Sequence, residues 1–174
     1  MNLYSIALFL HVVGALLLFV TLTVEGIALR QLRRAMTSEA AQGAAAMLRV
    51  NRIAGPLSAL GVLIPGLYMT ATSWGWVAWI LVALVSWLLL AVLGAVNGIR
   101  IAGLERTQLL LTEIRKPIFL ISWLTRVGMA TGVIFLMTVK PGAVEAVLAM
   151  LIATAAGAAL GLVLSRVRQA PQVA

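Results

Sequence analysis

Three ionisable residues stand inside stretches that otherwise read like lipid: His11 in "YSIALFLHVVGALLLF", Glu25 toward the end of the same apolar run, and Arg126 in "ISWLTRVGMATGVIFLMTV". His11 is the chain's only histidine. A neutral imidazole carries one donor and one acceptor, so it can be held by a single interhelical hydrogen bond. It can also ligate haem iron or copper, or handle protons. One histidine supplies one ligand per chain. A second would come from a neighbouring chain or from a methionine such as Met69, Met129 or Met137. Met69 and Met137 are expected at the depth of His11, and Met129 nearer the membrane centre. An arginine deep in a span is costly unless it is paired or snorkels to the surface. Glu25 is the partner expected for Arg126, in a structural ion pair. Unpartnered snorkelling and contact with an anionic substrate or headgroup are the alternatives.

The elements that must position these groups are set by composition. With 63% hydrophobic residues, 10% charged residues and a mean hydropathy of +1.09, the chain carries more apolar side chain than a globule of 174 residues can hide. An all-α, polytopic membrane bundle forming one domain is expected, because apolar runs of roughly 20 residues suit helices and not alternating barrel strands. Five spans are read at about residues 3–29, 53–72, 77–99, 118–139 and 143–165. The first lacks a basic leader and is too long for a signal core, so it is expected to be retained.

Eleven of the thirteen basic residues fall in the connection 30–52, the connection 100–117 and the C-terminal tail, leaving only Arg126 in a span and Lys140 in a turn. That bias predicts the N-terminus outside and the C-terminus inside. It also makes nucleic acid a poor explanation for a net charge of +8. His11 then lies about eight residues below the outer boundary, on the order of 12 Å at 1.5 Å per residue. The basic connections are expected to meet anionic lipid headgroups. "TSEAAQGAAAMLR", with Ser38 as N-cap candidate, and "ERTQLLLTEIRK" are expected to be partly helical along the inner surface.

Trp74, Trp76 and Trp79 cluster at an outer turn, where indoles anchor at headgroup level. Pro56 and Pro65 predict a kinked second span. Gly94 and Gly98, Gly128 and Gly132, and Ala153, Gly157 and Gly161 recur at four-residue intervals that let helices approach closely, within the chain or between chains in a homo-oligomer. Lys140 and Glu145 are expected to form an exposed pair, and Asn97 an interhelical hydrogen bond. The chain has no cysteine or aspartate, no phosphate-binding glycine loop and no GxSxG turn, so no catalytic residue is assigned.

"YSIALFLHVVGALLLF", "AGPLSALGVLIPGLYM" and "RVGMATGVIFLMTVKPG" resemble segments of a family of small bacterial integral membrane proteins of unassigned function. More distantly, the first-span histidine is similar to that of copper-resistance membrane domains and of a haem-carrying membrane protoporphyrinogen oxidase. The resemblance implies a bacterial cytoplasmic (inner) membrane protein. The expected role is a non-enzymatic accessory or interaction subunit, lipid-embedded, either self-associating or bound to another membrane protein. The alternatives are a haem or copper protein built on His11 and a small permease lined by His11, the second span and Arg126.

Overall fold

The computed structural model describes residues 2–106 and 109–167. Among them it is all-helical, without strands, and five helices are long and apolar enough to cross a membrane. They are α1 (Leu3–Arg34), α2 (Ser38–Met69, continued by a π-helical turn over Thr70–Trp74), α3 (Ala78–Arg106), α5 (Pro117–Val139) and α6 (Ala143–Val167). The short α4 (Leu110–Glu113) lies in a connection. Thr107 and Gln108 of the expected surface helix, and Arg168 of the basic tail, lie outside the described residues.

Two boundaries differ from expectation for physical reasons. The alanine-rich segment after Thr37 does not form a separate surface helix: it runs directly into the second span as α2. High helix propensity and the absence of proline before Pro56 let the backbone ladder continue out of the apolar zone, Gly43 notwithstanding. Thr37, not Ser38, is the N-cap, its hydroxyl accepting from the Ala40 amide at 3.2 Å. Pro56 and Pro65 both lie inside α2, each removing one ladder hydrogen bond without ending the helix. The departure from α geometry comes beyond the prolines, where Gly75 donates to the Thr70 carbonyl at 2.9 Å and closes the π turn. Gly75 then takes a φ of 70°, which admits glycine without strain.

α1 packs along α2 and α5 along α6, forming two hairpin-like pairs, while α3 packs on α5. α2 and α3 barely touch. Water does not drive helices together inside a bilayer, so close van der Waals contact and hydrogen bonds must do it. The small residues provide that contact within the chain. A Cβ on Gly14 would lie 2.5 Å from the Gly61 carbonyl carbon, and one on Gly128 or Gly157 would strike the backbone of Ala153 or Leu124. Gly98, by contrast, faces open space.

At the end that the charge bias places inside, the chain consumes part of its own basic surface. Arg33 donates to the Lys116 carbonyl at 3.2 Å, Arg115 to the Ala35 carbonyl at 3.1 Å, and Arg52 pairs with Glu105 at 2.5 Å. The Arg33 and Arg115 contacts clamp the connection between α3 and α5 onto the C-terminal end of α1, and Arg52 ties α2 to the end of α3. Arg30, Arg34, Arg49 and Arg100 remain exposed.

Candidate functional site

The polar groups inside the bundle separate into a closed cluster and an open one. In the closed cluster Arg126 of α5 donates from Nη2 to Glu25 Oε1 of α1, and both side chains are more than nine-tenths buried. Charge-assisted pairing is what makes either group tolerable there. Gly94 of α3 admits the guanidinium, since a Cβ at that position would come within 3.3 Å of Nη1. Nearby, Trp123 Nε1 donates to the Leu22 carbonyl at 2.7 Å and its ring lies over Gly26. Asn97 Nδ2 donates to Ser122 Oγ at 2.8 Å, linking α3 to α5. These contacts make a polar spine joining α1, α3 and α5.

The open cluster is centred on His11. Its Nδ1 lies 2.8 Å from the Val62 carbonyl of α2. A carbonyl only accepts, so Nδ1 carries the proton and the neutral ring's Nε2 is left with a lone pair. Nε2 has no partner among the described residues. Gly66 makes room for the ring: a Cβ there would lie 3.2 Å from both Cε1 and Nδ1. Proline at position 65 has no N–H, which removes the ladder donor of the Gly61 carbonyl four residues back; the carbonyl that meets His11 is that of the next residue, Val62.

His11 lines a cavity of about 100 Å³ bounded mainly by α2 and α3, with α5 contributing Val133 and Met137. Because its two principal walls barely touch, the cavity is half open. Trp74, Trp79 and Trp87 line it. Trp74 and Trp79 meet edge to face, with ring centroids 6.0 Å apart. Trp74 Nε1 donates to the Tyr4 hydroxyl at 3.2 Å and Lys140 Nζ stands 4.1 Å over the Trp74 ring centroid. Trp74 and Trp79 are therefore tied into the bundle at this end. Trp76 is 59% exposed and Trp74 42% exposed, even though Trp74 lines the cavity. Lys140 correspondingly forms no ion pair with Glu145.

Met69 and Met137 line the same cavity as His11, whereas Met129 is buried with Leu22 and Leu90 in the packed core. Trp87 was not legible as a site residue in the sequence. It is 9% exposed, and its Nε1 is buried without a hydrogen-bond partner among the described residues. The signal available was the indole itself, since a Trp N–H at mid-span needs an acceptor that an apolar run does not supply. Among the described residues no group of three His, Cys, Asp or Glu side chains is placed to hold a metal. The chain matches no protein-family model, no curated protein and no solved structure.

Proposed function

We propose that the chain is a non-enzymatic binding protein of the bacterial cytoplasmic membrane, with its N-terminus outside, and that it holds a small lipid-soluble molecule in the cavity at His11. The observation that carries this reading is the state of His11: one nitrogen is locked on the Val62 carbonyl and the ring lines a half-open aromatic cavity. Apolar walls with a few placed polar groups are the ordinary make-up of a small-molecule site. Arg126 and Glu25 serve as a structural brace in this reading, because they pair with one another away from the cavity. The exposed Arg30, Arg34, Arg49 and Arg100 suit anionic headgroups of the inner leaflet. The accessory role follows if loading of the cavity is what a partner membrane protein reads.

The test uses the full chain in detergent with para-bromotoluene, whose heavy atom quenches the tryptophans it touches. Saturable quenching is expected, weakened by Leu63→Phe, which narrows the cavity. Quenching that rises linearly with probe, identical in both proteins, would overturn the reading.

A second reading, a copper site, is favoured by one specific observation: two thioethers, Met69 and Met137, share the cavity with the His11 imidazole. Soft donors of this kind suit cuprous copper, and a carbonyl on the far nitrogen is the usual way a ligating histidine is oriented. Copper analysis after incubation with cuprous ion would then give a stoichiometric metal, lost in His11→Gln and Met69→Leu.

A further inference from the structure

A second, more open hollow lies at the end of the bundle that carries the N-terminus, and it shares a wall with the cavity at His11. It is lined by Asn2 and Tyr4 at the start of α1 and by Tyr68, Thr72, Ser73 and Trp74 at the end of α2. Every one of these side chains is uncharged, and each carries a hydroxyl, an amide or an indole N–H. Trp74 also lines the cavity below. The two spaces therefore meet at one indole, held there by the Tyr4 hydroxyl, which accepts from its Nε1 at 3.2 Å.

The cavity has the opposite chemistry and an elongated form. Along α3 its wall runs from Trp79 to Trp87, just over two turns of helix or about 12 Å. From α2 come Val62, Leu63, Gly66 and Leu67. About 100 Å³ spread over that length is a narrow slot parallel to the helices, the shape of one alkyl chain. Because α2 and α3 barely touch, the slot is half open along its side, so a chain can enter from the bilayer. Bilayer and slot are both apolar, so the chain alone discriminates weakly between them and the head must carry the selection. A hollow of hydroxyls and an amide suits a head that both donates and accepts hydrogen bonds. An anionic head would meet no cation in that lining, since Lys140 stands over the Trp74 ring and is not part of it.

Resting on the binding reading above, we propose that the ligand is a membrane amphiphile with an uncharged, hydroxyl-rich head of the glycolipid type. Its head sits in the hollow between the starts of α1 and the end of α2, and one of its alkyl chains lies in the slot, with Trp74 against the junction. No bond in the ligand is made or broken.

The test uses the full chain in phosphatidylcholine nanodiscs and three probes brominated at the end of the same octyl chain: octyl β-glucoside, octyl phosphate and plain bromooctane. Bromine carried into the slot quenches Trp79 and Trp87, which line it. At equal amounts in the bilayer the glucoside should quench saturably and about tenfold more tightly than either other probe, the worth of one or two net hydrogen bonds. Tyr68→Phe combined with Ser73→Ala strips two hydroxyls from the hollow and changes no residue lining the slot, so it should remove most of that preference and leave bromooctane unaffected. Equal affinity of the wild-type chain for glucoside and bromooctane would overturn the head assignment and leave the slot as an apolar site. Tightest binding of the phosphate would overturn the neutral head. An undiminished preference for glucoside in the double variant would overturn the hollow as its seat. Absence of saturable quenching by all three would overturn the binding reading as well. The wild-type ranking decides the matter even if the double variant fails to fold.

Discussion

Arg126 and Glu25 belong to helices that share no turn, and they meet as an ion pair with both side chains more than nine-tenths buried. Each is intolerable in hydrocarbon without the other. Arg126→Leu leaves a buried carboxylate unpaired and should destabilise the bundle by about 3–5 kcal/mol. Glu25→Gln combined with Arg126→Leu should be more stable than Arg126→Leu alone. Thermal unfolding in detergent of the wild type, both single variants and the double variant measures the coupling, and strictly additive losses would show that the contact contributes nothing.

Helix pairing is the second quantity open to test. Gly157 lies against the Leu124 carbonyl and Gly128 against Ala153, so Gly157→Val or Gly128→Val must push α5 and α6 apart. A loss of about 1–3 kcal/mol is expected for each, the usual range for overpacking. Gly98→Val and Gly43→Val face open space and should change stability by less than about 0.5 kcal/mol. If all four variants melted alike, close approach at Gly128 and Gly157 would not be what holds the pair.

For His11 the graded series is Asn, Gln and Leu. Asn or Gln can still donate toward the Val62 carbonyl and should lose little stability, whereas His11→Leu removes that hydrogen bond and should cost about 1 kcal/mol. Melting temperatures of the three variants check this. A leucine variant as stable as wild type would mean that the Val62 contact does not hold α1 to α2.

Orientation follows from the basic residues and can be read with reporter fusions. A fusion at Gly75 should report outside, and fusions at Gly43 and after the C-terminal tail inside. Both termini on one side would remove a span from the five-helix arrangement.

The five spans, their order and the polar residues that needed explaining were legible in the chain itself. Apolar run length and the placement of charge are local properties, and a bilayer enforces them one helix at a time. Even the meeting of Glu25 with Arg126 could be anticipated, because depth in the membrane follows from position along a helix and only one carboxylate lies deep in an apolar run. Depth says nothing about azimuth. That α2 turns Gly66 and the Val62 carbonyl toward His11, that Trp87 shares its cavity, and that Met69 and Met137 line it while Met129 does not, depends on helix rotation and on which helices are neighbours. Those are set by the close contacts at Gly14, Gly128 and Gly157, where the loss of a single Cβ lets two backbones meet. The sequence shows that small residues recur. Only the packed bundle decides which of them face a neighbour, and it places Gly98 against nothing at all.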